Sequence, residues 1–121
     1  MLHYTLRKFT QRTLVILLQD NVKLGSQLTD LSNVVVKKVP HIVNPHEKQT
    51  SASWVGSGYT KLHIWNLTEY AQVLYIDADC LVHASPEDLF ERDVAFAAAP
   101  DVFPPDHFNA GVMLIVSGIS N

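Results

Sequence analysis

Val73-Leu74-Tyr75-Ile76-Asp77-Ala78-Asp79-Cys80 runs four apolar, β-forming residues straight into two carboxylates separated by one small residue. A buried strand that delivers charge to the rim of a sheet ends this way. In an extended chain residues i and i+2 point the same way, so Asp77 and Asp79 are expected to converge on one cation. On a helix the same spacing would set them about 200° apart. Ala78 keeps the turn narrow and lets the backbone approach whatever the cation holds. Two hard carboxylates suit Mn²⁺ or Mg²⁺, which prefer oxygen ligands and bridge to phosphates. So close together they repel unless a cation or water lies between them. The plainer alternative is a solvated strand end followed by an Asp-rich turn.

Outward from this central strand the chain alternates. Toward the N-terminus, Tyr59 to Tyr70 reads as a helix with Leu62, Trp65 and Glu69 at helical spacing, and His41 to Gly58 as a loop. Asn33 to Val39 reads as a strand stopped at Pro40, and Leu24, Leu28 and Leu31 form a helical stripe interrupted by Gly25. Thr13 to Leu18 reads as a strand buried on both faces, and Tyr4 to Gln11 as the tail of a helix. Toward the C-terminus, Ser85-Pro86-Glu87-Asp88 starts a short helix, with Ser85 as cap and Pro86 at the first helical position. Val94 to Ala99 reads as a strand, Pro100 to Asp106 as a loop, and Gly111 to Val116 as a last strand. Such alternation predicts an α/β layered fold with a mainly parallel sheet, its ligands bound beyond the carboxyl ends of the strands. Asp77 and Asp79 would lie there.

Composition narrows the classes. The chain has 121 residues, enough for one domain, spanning 1–121. An apolar fraction of 47% and a charged fraction of 17% exclude a disordered chain. A net charge of −3 with no long basic run argues against a nucleic-acid partner. The single cysteine, Cys80, excludes an internal disulfide framework and a cysteine-based zinc cage. No apolar run reaches the length of a membrane span, and Met1 to Thr10 lacks the apolar core of a secretory signal.

Thr60-Lys61-Leu62-His63-Ile64-Trp65, the Asp77-Ala78-Asp79 strand end, Asp88-Leu89-Phe90 and Phe108-Asn109-Ala110-Gly111-Val112 occur in that order. This series resembles glycosyltransferase family 8, in particular its glycogenin-like and plant glucuronosyltransferase-like branches, from about Leu6 to Ser117. The resemblance implies a Rossmann-like nucleotide-diphospho-sugar transferase fold of the GT-A type. It also implies a UDP-sugar donor, Mn²⁺, and retention of configuration at the anomeric carbon. Within it, Asp77 and Asp79 match the metal-binding pair, and Ala78 the position whose backbone touches the nucleotide ribose. Lys61 matches a lysine facing the donor's phosphates and sugar. Asn109 and Ala110, with Gly111 beside them, match the loop that contacts the donor sugar. The glycogenin branch has serine where Ala110 stands, so one hydroxyl contact is missing. An upstream arginine of that branch has no counterpart near Ala52.

Family members also open with a strand and a Thr-rich turn that hold the uracil. They continue beyond the position of Asn121 to a third metal ligand, acceptor-side carboxylates and a phosphate-binding lysine. The expectation is therefore a fragment, its fold incomplete at both ends, with the catalytic residue unassigned and little activity of its own. The implied partners are a UDP-sugar and a glycan, protein or lipid acceptor. A homodimer and a cytoplasmic or Golgi location both stay open.

The chemistry is consistent with that resemblance. When a sugar leaves a nucleotide diphosphate, negative phosphate charge must be stabilised, and a dication on Asp77 and Asp79 with the Lys61 ammonium nearby would do so. The bland readings are a solvated Lys61, an Asn109 bonding its own backbone, and a turn glycine at Gly111. Cys80 reads as a small buried residue, Trp54 and Trp65 as core or loop anchors, and Asn66-Leu67-Thr68 as a glycosylation sequon on a helix. Two other classes are carried alongside. One is a haloacid-dehalogenase-type phosphatase with Asp77 as nucleophile, for which the lysine expected downstream is missing after Lys61. The other is a non-enzymatic remnant of a transferase.

Overall fold

The computed structural model describes residues 1–23, 25, 31–43, 45, 58–102 and 106–116. Leu24, Leu28, Trp54 and most of the expected 41–58 loop lie outside the described residues. The elements run α1 (Leu2–Leu6), β1 (Leu14–Gln19), β2 (Val34–Val39), a 3-10 helix (Gly58–Asn66), β3 (Gln72–Ile76), α2 (Glu87–Phe90), β4 (Phe96–Pro100) and β5 (Phe108–Val116). They fall into two compact units, 12–63 and 1–11 with 64–121.

In the 12–63 unit, β1 and β2 pair in parallel from Leu14↔Val34 to Gln19↔Val39. Asn33 enters β2 in the left-handed region, φ 56°, where a short polar side chain is tolerated. Its carbonyl accepts the Leu14 N–H at 2.8 Å, which starts the ladder. β1 is half-buried along its whole length rather than buried on both faces, because among the described residues it has a single strand neighbour. Beyond the strand ends, the Gln19 side-chain amide donates to Thr60 Oγ1. The His63 ring bonds the Pro40 carbonyl at 2.8 Å.

The larger unit holds a three-stranded sheet in the order β3-β5-β4, antiparallel throughout. The expected mainly parallel sheet is thus corrected, since among the described residues only β1–β2 pairs in parallel. An apolar run reports that a strand is buried, not which way its neighbour runs, and the 101–107 connection between β4 and β5 is too short for a parallel crossover. The central position passes from β3 to β5. There Met113, Leu114 and Ile115 are 2%, 2% and 3% exposed, so consecutive residues pointing to opposite faces are both covered. Each such side chain contributes about 1.5–3 kcal/mol on burial.

The predicted 59–70 helix is instead a 3-10 helix over 58–66. With three residues per turn its buried row advances by three, to Ile64 (2% exposed) and then Leu67 just past its end (5%). Leu62 and Trp65, expected inward, are 43% and 45% exposed. Asn66 ends this helix on the surface, and Thr68 follows in an exposed turn, so the sequon lies at a helix terminus rather than within one.

α2 begins one residue later than expected. Pro86 is the capping position, and Ser85 Oγ accepts the Glu87 N–H at 3.4 Å. The N-terminal segment packs onto this region. Thr10 Oγ1, nearly buried, donates to Glu87 Oε1 at 2.5 Å, and Thr5 Oγ1 accepts the Val82 N–H at 3.1 Å.

The 3-10 row makes a direct prediction. Ile64→Ala should destabilise by about 2–4 kcal/mol, whereas Leu62→Ala should change stability by no more than about 0.5 kcal/mol. Urea unfolding of both variants decides it, and equal losses would restore the α-helical face.

Candidate functional site

β3 ends at Ile76, so Asp77 is the first residue past the strand. Its N–H donates to the Gly111 carbonyl at 2.8 Å, and its own carbonyl accepts the Cys80 N–H at 3.0 Å. The second bond closes a turn with Ala78 and Asp79 at its exposed centre. This corrects the extended-strand reading of the pair. Asp77 lies at the strand's exit and Asp79 at the tip of a turn, so a tight turn, not strand alternation, relates the two carboxylates. Two acidic residues flanking an alanine favour such a turn over continued extension. Cys80 is half-buried and unoxidised.

Strand alternation acts one step earlier. Tyr75 and Asp77 are separated by one residue, and the Tyr75 hydroxyl donates to Asp77 Oδ1 at 2.5 Å, within the range of a hydroxyl–carboxylate bond. The phenol pKa is raised, first by burial, then by this bond and by the negative charge of Asp77, Cys80 and Asp79. The hydroxyl therefore keeps its proton and stays a donor. The sequence reading passed over Tyr75; the same i, i+2 rule applied to 75 and 77 would have found it.

The other wall comes from β5. Between Ala98↔Met113 and Ala99↔Asn109 the ladder slips, so that one step along β4 faces four along β5, through Ala110, Gly111 and Val112. This bulge turns the Asn109 side chain back on its own strand, where Oδ1 accepts the Gly111 N–H at 2.8 Å. A backbone N–H can only donate, which fixes the oxygen inward and leaves the amide –NH₂ as the outward end. Gly111 thus bonds Asp77 through its carbonyl and Asn109 through its N–H. A Cβ on Gly111 would stand 2.8 Å from Asn109 Oδ1 and 3.2 Å from Asp77 Oδ2. Only glycine lets these two side chains approach so closely over the backbone.

Of the expected site residues, the structure brings Asp77, Asn109 and Gly111 together, with Ala110 half-buried in the bulge and Ala78 and Asp79 on the adjoining turn. Lys61 lies half-buried on the 3-10 helix in the 12–63 unit and is described apart from them. Among the described residues no three His, Cys, Asp or Glu side chains cluster as a metal site. Trp65 and His107 are exposed.

Two measurements follow from this geometry. Gly111→Ala should destabilise by about 1–3 kcal/mol through overpacking, and adding Asn109→Ala should recover part of that loss; thermal melts of the single and double variants test it. For Tyr75, an acid whose folded pKa is raised holds more protons folded than unfolded above pH about 10, so its contribution is complete below that pH and is lost as pH rises. In chelator-treated protein, Tyr75→Phe should flatten the fall of stability above pH about 10; an unchanged slope would contradict the assignment.

The comparisons with known proteins agree with the family resemblance. The profile of the family described as glycosyl transferase family 8 matches residues 8–117. Glycogenin-1 of Oryctolagus cuniculus is 50% identical over 60 residues, covering 50% of this chain and 18% of its own length. Glycogenin-2 of Homo sapiens is 36% identical over 103 residues, 77% of this chain and 20% of its own length. Inositol phosphorylceramide glucuronosyltransferase 1 of Arabidopsis thaliana is 32% identical over 105 residues, 86% of this chain and 19% of its own length. The chain thus spans about a fifth of the length of these relatives, and by the extent of the family match it belongs to glycosyltransferase family 8, with the α/β architecture of the GT-A type nucleotide-diphospho-sugar transferases.

Proposed function

We propose that this protein takes part in sugar transfer from a UDP-sugar to an acceptor hydroxyl, with retention at the anomeric carbon, and that Asp77 and Asp79 hold the divalent cation this requires. The observation that carries the proposal is the meeting of Asp77 Oδ2, Asn109 and a glycine without a Cβ at the carboxyl end of β3. The residues fit a hard dication: the donors are carboxylate oxygens, and the Gly111 cradle leaves room that any side chain would fill. When bound, Mn²⁺ or Mg²⁺ supplies Lewis-acid stabilisation of the departing diphosphate.

The remaining work falls to the chain itself. The outward –NH₂ of Asn109 donates to an oxygen of the donor sugar, while the flanking Ala110 presents only a methyl group. The exposed Ala78 peptide, at the tip of the turn, lies against the ribose. By the family resemblance, Lys61 is the lysine whose ammonium would complement the donor's phosphate charge as a point donor. The donor sugar is a hexose, pentose or uronic acid, and the acceptor a glycan, protein or lipid. The family match goes to transferases rather than to the phosphatase alternative.

UDP binding measured calorimetrically with and without Mn²⁺ tests the proposal. The expected result is Mn²⁺-dependent binding that weakens by at least about tenfold in Asp79→Asn, a typical loss when a metal site is damaged. Turnover of UDP-glucose, UDP-galactose, UDP-xylose and UDP-glucuronate then ranks the donors. Metal-independent UDP binding, or hydrolysis of p-nitrophenyl phosphate in place of UDP-sugars, would overturn the reading.

A further inference from the structure

We propose that Tyr75 is a positioning residue that sets the Asp77 carboxylate for metal binding through the hydrogen bond from its hydroxyl to Oδ1. The inference rests on the metal reading above and adds a residue to it. Asp77 is half-buried just past the last residue of β3, and its main chain is tied on both sides, to Gly111 and to Cys80. The Tyr75 hydroxyl holds the side chain by Oδ1 at 2.5 Å, and Oδ2 lies over Gly111, 3.2 Å from where a Cβ would stand.

The hold is itself rigid. Tyr75 lies within β3, half-buried, with its backbone in register opposite Met113 of the central strand. A ring anchored in a sheet has two torsions to fix, fewer than a long flexible donor such as lysine. A neutral donor also leaves the net negative charge of the carboxylate intact for a cation, which an arginine or lysine in the same place would cancel. Groups behind metal ligands act in this way, by orienting them, and their loss typically weakens metal binding by about 10–100-fold.

The test uses Mn²⁺ affinity, read by electron paramagnetic resonance of free Mn²⁺, on the wild type, Tyr75→Phe, Asp77→Asn and the double variant. Tyr75→Phe keeps the ring and is expected to bind Mn²⁺ about tenfold more weakly. In the Asp77→Asn background the same change should have no further effect on Mn²⁺ affinity. A merely structural tyrosine would give the same loss in both backgrounds. As a second readout, ring-fluorinated tyrosine at position 75 should show a fluorine resonance that moves on addition of Mg²⁺, and does not move in Asp77→Asn. Unchanged affinity in Tyr75→Phe alongside weakened binding in Asp77→Asn overturns the role of Tyr75 and leaves the metal reading standing. Unchanged affinity in Asp77→Asn overturns both.

Discussion

The hydrogen bond from the Asp77 N–H to the Gly111 carbonyl, 2.8 Å long, is the constraint on which the site depends. It extends the β3–β5 ladder one residue past the last strand pair, Ile76↔Val112. In doing so it ties together two motifs that are distant in the chain, the acidic turn after β3 and the Asn-Ala-Gly segment at the start of β5. Without that registration each is an ordinary polar segment. With it, a carboxylate and an amide share the space above one glycine. A one-residue slip would turn each side chain to the opposite face of the sheet.

The register is held from below by the core. β5 is the central strand, and its Met113, Leu114 and Ile115 are covered on both faces, so sliding β5 would move apolar side chains out of well-packed positions at high cost. Above that anchored stretch the register with β4 shifts through Ala110-Gly111-Val112 before pairing resumes at Asn109 and Phe108. Rigid pairing below and a local departure above is a common way to re-aim side chains at a sheet rim. The bulge explains why Asn109 bonds the Gly111 N–H instead of standing out from a regular strand. It also fixes which end of the amide faces outward, and so the hydrogen-bonding character the site offers a ligand.

The acidic turn has its own support. The Cys80 N–H closes it, the Val82 N–H is taken by Thr5, and α2 is tied to Thr10 through Glu87. The last two contacts come from the N-terminal segment, which holds the residues following the turn. The candidate site in this unit is therefore concentrated on loops and strand ends, and the apolar strands supply placement.

Much was legible from residue order alone: the strands at β1, β2, β3 and β5, the short helix after Ser85-Pro86, the pairing of an apolar run with Asp77 and Asp79, and the family resemblance that the profile match over 8–117 bears out. These rest on local chemistry, on hydrophobic runs, caps and motif spacing, and local chemistry is written in the sequence. Strand direction, the central place of β5, and the 3-10 helix that buries Ile64 in place of Leu62 and Trp65 were decided only by the tertiary structure. Each depends on which distant segment lies alongside, and a period of hydrophobic residues cannot report that. The bond from Tyr75 to Asp77 falls between the two, since alternation along the strand puts both side chains on one face, yet only the packing of β3 on β5 brings hydroxyl and carboxylate into contact.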